Sequence, residues 1–155
     1  MQVLEVSTRK RLQVEILPLE SSDYKTITKK RYYFNWKEEK DYEVYKLQLI
    51  DSKEILGIVS IERIPEEWRI HIRLLTVSAE NKGKEKIYDH IIGNLITHTA
   101  KIAIKEYAEL ACVSLKPKSK IAQHYIGKYG MNITGATLSI ELNEILNLIE
   151  SYDHD

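Results

Sequence analysis

The chain has few of the residues that usually mark a secreted, fibrous or membrane protein. Its 155 residues include one cysteine, three prolines and six glycines. The lone Cys112 cannot form an internal disulfide bond, and its apolar neighbours favour a buried structural thiol. No apolar run approaches the ~18 residues of a membrane helix, and the first ten residues lack a secretory signal core. These absences predict a soluble, cytoplasmic protein.

Charge of one sign is also lacking, because 23 Lys and Arg residues balance 23 Asp and Glu residues. The net charge of zero argues against a nucleic-acid or membrane partner. With 43% hydrophobic and 30% charged residues, the composition is that of an ordinary globular protein. No repeat or linker divides the chain, so a single domain over residues 1–155 is expected.

Alternating apolar and polar residues predict strands, and a spacing of three or four predicts helices. Strands are expected at Arg11–Leu17, on both sides of the turn "DSKE", at Trp68–Ser78, at Ala108–Leu115 and in "MNITGATLSIEL". Helices are expected in "SSDYKTITKKRYYFNW", over Glu85–Tyr107, in "SKIAQHYIGKYG" and in "NEILNLIESY". Because a crossover helix usually joins parallel neighbours, Trp68–Ser78 and Ala108–Leu115 should pair in parallel. The order predicts an α/β fold of the α+β type, with a mixed, mostly antiparallel sheet and helices on both faces.

The stretch "SAENKGKEKIYDHIIGNLI" places Lys82, Lys84 and Lys86 around Gly83, just before an apolar helix pattern. Cations oppose the dipole at a helix start, so such lysines need an explanation. They could simply face water, partly balanced by Glu80 and Glu85. Alternatively they could await an anion, since free backbone N–H groups before a helix bind phosphate.

Two segments resemble the Gcn5-related N-acetyltransferase (GNAT) family. The strand, loop and helix from Leu74 to Ile96 resemble the part that binds the pyrophosphate of acetyl-CoA. The segment "IAQHYIGKYGM" resembles the family's late helix through Ala122, Tyr125, Lys128, Gly130 and Met131. The resemblance covers about Arg11 to Leu142 and implies the family's fold, with a central parallel strand pair.

The family's loop reads Gln/Arg-x-x-Gly-x-Gly/Ala, and two registers fit it. If Gly83 is the first glycine, Glu80 and Glu85 take the other two positions. If Gly83 is the second glycine, Asn81 takes the first and Ser78 the Gln/Arg position. The second register is preferred here, because asparagine tolerates positive φ.

The resemblance implies an acetyl-CoA-dependent N-acetyltransferase that acts on a primary amine of an unidentified acceptor, a small molecule or a protein. The implied cofactor-binding residues are Leu75, Thr76, Val77, Asn81, Lys82, Gly83, Lys84 and Ser114. A backbone N–H near Leu75 to Val77 would polarise the thioester carbonyl. Tyr125 would protonate the leaving thiolate, and either Glu62 or His71 would take the amine proton.

Two other functions compete with the enzyme. One is a non-catalytic GNAT-like module that binds a protein partner or a ligand, which Glu80 and Glu85 favour because carboxylates repel a diphosphate. The other is a small nucleic-acid-binding domain, whose stacking surface would be "KKRYYFNW". We interpret it instead as part of the amphipathic helix "SSDYKTITKKRYYFNW", with Ile27, Tyr32 and Trp36 inward, and the resemblance implies that this helix borders the acceptor site. No metal site is expected, since His90 and His98 lie eight residues apart, and the C-terminal strand and helix could pair in a homodimer.

Overall fold

A computed structural model describes residues 1–117, 122–134 and 137–153, without the side chains of Ala122 and Gln123. The strands are β1 Gln2–Glu5, β2 Arg11–Pro18, β3 Glu43–Leu49, β4 Ile55–Ile64, β5 Arg69–Val77, β6 Tyr88–Asp89, β7 Cys112–Leu115, β8 Asn132–Thr134 and β9 Thr137–Ile140. The helices are α1 Lys29–Tyr32, α2 Ile91–Tyr107, α3 Ala122–Tyr129 and α4 Leu142–Tyr152. This mixed α/β architecture, with a mostly antiparallel sheet and one parallel pair, confirms the predicted fold class.

The chain forms two compact units, of residues 1–60 with 74–95 and of residues 61–73 with 96–155. The hydrogen-bonded strand order is β6-β1-β2-β3-β4 in the first unit, which also contains the last residues of β5, and β5-β7-β9-β8 in the second, which also contains the last residues of β4. Strands β1 and β2, β1 and β6, and β2 and β3 pair antiparallel. Strand β1 has no counterpart among the predicted strands.

The predicted parallel pair is present in the second unit. Strand β5 pairs with β7 in parallel, from Arg69 opposite Cys112 to Ile72 opposite Leu115. Strand β7 then pairs antiparallel with β9, and β9 with β8. The predicted strand "MNITGATLSIEL" is therefore two short strands rather than one. The predicted strand at Ala108–Leu115 is also shorter, because Ala108–Leu110 forms a 3₁₀ turn.

The segment of residues 21–36, called the aromatic segment below, is not the continuous helix that its pattern predicts. It forms a 3₁₀ turn at Ser21–Lys25, the four-residue α1, and another 3₁₀ turn at Trp36–Glu39. The hydroxyl of Thr28 accepts the N–H of Arg31 at the start of α1, and Tyr33 with φ 70° ends it. A side-chain cap and a left-handed residue interrupt a helix more strongly than apolar spacing can extend it.

The three inward positions of this segment are nevertheless confirmed, because Ile27, Tyr32 and Trp36 are 5%, 1% and 1% exposed. They pack with Val44, Ile55 and Ile58 in the core of the first unit. The Tyr32 hydroxyl donates to the carbonyl of Ile55 at 2.7 Å, and the Trp36 Nε1–H donates to the carbonyl of Tyr32 at 3.1 Å. Each buried ring thus also satisfies its polar atom.

The apolar spacing predicts that helix α2 begins at Glu85, but it begins at Ile91. Tyr88 and Asp89 instead form β6, where Leu4 lies opposite Asp89 and Glu5 lies opposite Tyr88. The pairing of β6 with the N-terminal strand β1 thus prevents this segment from continuing the helix that its apolar spacing predicts. Lys82, Lys84 and Lys86 therefore lie in a loop before β6, away from the helix dipole.

The ends of α3 and α4 follow their sequence signals. Gly130, with φ 68°, directly follows α3, as expected for a helix-ending glycine. Glu141 and Glu144 form a capping box at the start of α4. The predicted cap at Ser119 lies outside the described residues.

Candidate functional site

The loop between β5 and β6 is held in shape by a buried asparagine. Asn81 is 4% exposed. Its Nδ2 donates to Ser78 Oγ at 2.8 Å, and its Oδ1 accepts the backbone N–H of Tyr88 at 2.8 Å. Asn81 closes a 3₁₀ turn and does not adopt a positive φ. The backbone argument for placing Asn81 at a glycine position was therefore wrong, and this residue acts through its amide.

Glu80 does not face the loop as a free carboxylate. Arg31 Nε donates to Glu80 Oε1 at 3.1 Å and Oε2 at 3.3 Å, and the same guanidinium reaches Glu54 Oε1 at 2.8 Å. The hydrogen bonds from Arg31 hold the pKa of the Glu80 carboxyl below its usual range. The positive charge next to Glu80 offsets the repulsion that this carboxylate would otherwise exert on an anion.

The tip of the loop offers hydrogen-bond donors and positive charge together. Gly83 has φ 84°, and a β-carbon there would meet nothing within 4 Å. Within residues 1–117, 122–134 and 137–153, the backbone N–H groups of Gly83, Lys84 and Glu85 have no hydrogen-bond partner. The tip is exposed, and Lys84 has no ion-pair partner in the same ranges. Consecutive free N–H groups beside a lysine are a favourable anion site.

The other two lysines of the loop have partners. Lys82 Nζ lies 4.6 Å from the ring centroid of Tyr33, and Lys86 Nζ lies 3.1 Å from Asp89 Oδ1. Of the three lysines, Lys84 is thus the one with the most freedom to turn toward a ligand.

A carboxylate lies at the beginning of α2. Asp89 Oδ1 accepts the backbone N–H of His90 at 2.8 Å, and His90 has φ 76°. The carboxylate therefore stands where the N-terminal N–H groups and the dipole of the helix favour negative charge. An added anion would compete with Asp89 at the helix start but not at the loop tip.

The last residues of β5 leave one N–H turned away from β4. The N–H of Ser78 donates to the carbonyl of Leu56 on β4 at 2.9 Å. The carbonyl of Thr76 also points toward β4, where it lies next to Gly57. Since the carbonyl of Thr76 and the N–H of Val77 belong to one peptide plane, the Val77 N–H points to the opposite side. Pairing of β5 with β7 ends at Ile72. Val77 therefore lies beyond the part of β5 that pairs with β7, on the side of the strand that faces away from β4. Leu75, two residues earlier on the same strand, is half-buried.

In the second unit, His71 and Ser114 lie side by side on the parallel strand pair. His71 Nδ1 is 2.9 Å from Ser114 Oγ, and Arg69 Nη1 donates to the same hydroxyl oxygen at 2.7 Å. Because Arg69 can only donate, the proton of Ser114 is available for His71 Nδ1. Neutral His71 then carries its own proton on Nε2. Burial, followed by the charge of Arg69, lowers the pKa of His71.

Glu62, the other proposed base, lies at the end of β4 in the same unit. Its Oε2 is 3.5 Å from Arg73 Nη1, and its side chain is 40% exposed. Each of the two candidates therefore has an arginine neighbour. Glu62 keeps lone pairs that can accept a proton, whereas both nitrogens of neutral His71 are committed by the Ser114 contact and the Nε2 proton.

Tyr125 lies on α3 within an aromatic cluster. Its ring centroid is 5.4 Å from that of Tyr129 and 6.0 Å from that of His124. Burial raises the pKa of the Tyr125 phenol, so it stays protonated near neutral pH and can donate a proton. Gly130 and Met131 close the matching motif, and Met131 is 1% exposed.

Arg31 and Asp89 were not identified as residues of the site from the sequence alone. Arg31 was grouped with Lys29 and Lys30 in the segment considered as a nucleic-acid surface, and Asp89 was not singled out. Their partners Glu80 and His90 become visible only in three dimensions. The "DH" pair just before the helical pattern was the one local signal, since aspartate is a common residue at a helix start.

No group of three or more His, Cys, Asp or Glu residues in the described ranges could hold a metal ion. Cys112 is half-buried and free, and burial raises the pKa of its thiol. None of the described helices is both long enough and apolar enough to cross a membrane.

A scan of the sequence against protein-family models found no match, and a search of curated proteins found none. Solved structures do match. A dodecameric spermidine N-acetyltransferase from Vibrio cholerae superposes with a TM-score of 0.64 at 13% identity, over 87% of this chain and 97% of that chain. A putative streptothricin acetyltransferase from Bacillus anthracis, in complex with acetyl coenzyme A, gives 0.59 at 13% identity, over 83% and 96%.

A third structure, AtaT complexed with acetyl-methionyl-tRNAfMet, gives a TM-score of 0.57 at 11% identity, over 88% of this chain and 99% of that chain. Identities this low establish the fold and leave the activity open. The predicted resemblance is confirmed at the level of the fold: the chain has the fold of the Gcn5-related N-acetyltransferases.

Proposed function

We propose that this protein is an acetyl-CoA-dependent N-acetyltransferase that acts on a primary amine. The observation that carries the proposal is the loop tip, where the backbone N–H groups of Gly83, Lys84 and Glu85 and the Lys84 ammonium have no partner among the described residues. Such a tip suits a diphosphate, and neighbours of the same fold are acetyltransferases.

The proposed cofactor-binding residues divide into three groups. Gly83 and Lys84 would hold the diphosphate through N–H groups and charge, with Asn81 and Lys82 shaping the loop around them. Leu75, Thr76 and Val77 would border the acyl end, and Ser114 would lie along the pantetheine arm. When bound, acetyl-CoA supplies an activated acetyl thioester.

The Val77 N–H is our preferred donor to the thioester carbonyl. It points away from β4 and lies beyond the part of β5 that pairs with β7, so it is placed to donate to a ligand. A fixed backbone N–H stabilises the negative charge that develops on a carbonyl oxygen under attack.

Two proton transfers complete the proposed reaction. The Tyr125 phenol would give its proton to the leaving thiolate, a role that its raised pKa supports near neutral pH. Glu62 or His71 would take the proton of the amine. The contact between His71 and Ser114 favours Glu62, acting directly or through water, because neutral His71 presents an N–H at Nε2.

Hydrogen exchange of the loop tests the cosubstrate directly. Acetyl-CoA should slow exchange of the amides of Gly83, Lys84 and Glu85, whereas adenosine, which lacks the diphosphate, should leave them unchanged. Equal exchange with and without saturating acetyl-CoA would remove the basis of the proposal. An acceptor screen that follows thiol release then identifies the amine.

A non-catalytic GNAT-like module that binds a protein partner or ligand is the second candidate, and Asp89 favours it. Its carboxylate already accepts the His90 N–H at the start of α2, so it would repel a diphosphate that extended from the loop tip to the helix start. If this repulsion dominates, the native protein does not bind acetyl-CoA and Asp89→Asn does. If the enzyme proposal holds, the native protein binds acetyl-CoA and Asp89→Asn binds it only moderately more tightly.

Pairing of two chains in a homodimer also remains a prediction.

A further inference from the structure

A cavity of about 280 Å³ lies under the aromatic segment of the first unit. Its walls include Tyr24, Ile27, Phe34 and Trp36, and Lys29 and Lys37 also line it. Ligand pockets usually span roughly 300–1,000 Å³. The volume of this cavity is just below that range, so it suits a small molecule, about as large as an amino acid or a single substituted ring.

The aromatic wall is fixed in place by contacts on its far side. Phe34 and Trp36 meet edge to face, with centroids 5.9 Å apart and planes at 86°. Trp36 is 1% exposed and its Nε1–H is bound to the carbonyl of Tyr32. Phe34 and Tyr24 remain half-buried, so their rings offer apolar surface to an occupant without a rearrangement of the core.

The charge around the cavity is positive. Eight residues of the described part of the chain line the cavity, of which two are lysines and none is acidic. Lys29 and Lys37 are exposed and have no ion-pair partner in the part of the chain that the structure describes. Residues 24–37 as a whole contain Lys25, Lys29, Lys30, Arg31 and Lys37 and no Asp or Glu.

The acidic groups on the adjoining segments are largely engaged elsewhere. Asp23 Oδ2 is 2.8 Å from Lys46 Nζ, and Glu39 is buried and accepts from Ser60 Oγ at 2.9 Å. Glu38 is exposed but does not line the cavity. A cationic occupant would therefore meet two lysines without a compensating carboxylate in the wall.

We propose that this cavity is a binding site for a small anion with an aromatic or apolar body, such as an aryl carboxylate. The rings take the apolar body, and Lys29 and Lys37 take the charge through charge-assisted hydrogen bonds. The site goes beyond the acetyl-transfer proposal and does not depend on acetyl-CoA binding. It sets this chain apart from the neighbours described as spermidine N-acetyltransferases, since spermidine is a polycation.

The cavity also lies close to the loop of the proposed cosubstrate within the same unit. Lys29 belongs to α1, and Arg31 of the same helix is bonded to Glu80 of the loop. An acceptor amine that carries a carboxylate would thus be a suitable occupant if the acetyl-transfer proposal is correct. That link rests on the proposed function, and the binding site itself does not.

Three probes of similar size separate charge from shape: 3-phenylpropionate, 3-phenylpropanamide and 3-phenylpropylamine. A Trp68→Phe background leaves Trp36 as the only tryptophan, so its fluorescence reports occupancy. We expect saturable binding of the carboxylate, about tenfold tighter than the amide, and the weakest binding for the amine. Acetyl-CoA is absent, so failure of the acetyl-transfer proposal leaves this result unaffected.

Lysine variants localise the charge. Lys29→Met and Lys37→Met should each weaken the carboxylate about two- to fivefold and leave the amide unchanged. Lys105→Met, an exposed lysine on α2, is the matched control and should change nothing. Amine binding as tight as carboxylate binding, lysine variants without effect, or no saturable binding of any probe would each overturn the inference.

Discussion

Arg31 Nε donates to both carboxylate oxygens of Glu80, at 3.1 and 3.3 Å, across 49 residues of sequence. This contact ties α1 to the loop that we propose to hold a diphosphate. It places a positive charge beside an acidic residue of that loop, and the same guanidinium also binds Glu54.

We therefore predict that Arg31→Met weakens acetyl-CoA binding about tenfold, the effect of roughly 1.4 kcal/mol, because Glu80 is left uncompensated. Arg31→Met/Glu80→Gln should recover most of the loss. Titration calorimetry on the single and double variants measures both effects. A double variant as weak as Arg31→Met would mean that Arg31 contributes through Glu54 or through packing instead.

Two glycines with open space around them should respond in opposite directions to alanine. Gly83 has φ 84° and Gly127 does not have a positive φ, and neither β-carbon would meet an atom within 4 Å. Gly83→Ala should cost about 1–2 kcal/mol of unfolding free energy through backbone strain. Gly127→Ala, in the interior of α3, should add about 0.5–1 kcal/mol. Urea unfolding of both variants provides the comparison, and stabilisation by Gly83→Ala would contradict the left-handed conformation.

His98 on α2 should make the protein sensitive to acid. Burial lowers the pKa of its imidazole to about 4, below the unfolded value of roughly 6.5. The unfolded chain thus binds the proton more readily, and stability is fully present above pH ~6.5 and declines toward pH ~4. The contribution is at most about 3 kcal/mol.

His98→Gln should accordingly lose less stability than the native protein between pH 7 and pH 4.5. The exposed His124→Gln is the control and should follow the native curve. Urea unfolding at the two pH values tests the difference, and parallel losses in all three proteins would show that carboxylates alone set the acid sensitivity.

Tyr125→Phe should separate catalysis from binding. If Tyr125 protonates the thiolate, kcat falls about 100-fold or more, while acetyl-CoA affinity and unfolding free energy change little. The assay is thiol release with the acceptor that the screen identifies, with His124→Gln as the control on the same helix. Unchanged kcat would move the acid role to water or to another residue.

Most of the fold could be predicted from local patterns in the sequence. Alternation located β5, the crossover argument paired it in parallel with β7, and Gly130 ended α3 where its spacing predicted. The same local reasoning put Ile27, Tyr32 and Trp36 in the core, although it missed the breaks between them. Those breaks arise from Thr28 and Tyr33, a cap and a left-handed residue within an apparently helical pattern.

The geometry of the candidate site was harder to predict, because it depends on contacts between residues far apart in the sequence. Asn81 was selected for its backbone, yet it acts through side-chain bonds to Ser78 and Tyr88. Helix α2 starts late because Tyr88 and Asp89 pair with β1, a strand that the pattern did not show. No spacing rule predicts such long-range pairings from one sequence.

Calorimetric titration with acetyl-CoA tests the central claim most directly, using Lys84→Glu against Lys105→Glu, a charge reversal of equal size on α2. We predict micromolar binding to the native protein, at least about tenfold weaker binding to Lys84→Glu through lost and reversed charge at the tip, and native affinity in Lys105→Glu. No binding to the native protein at millimolar acetyl-CoA, or equal affinity in Lys84→Glu, would contradict a diphosphate site at this loop.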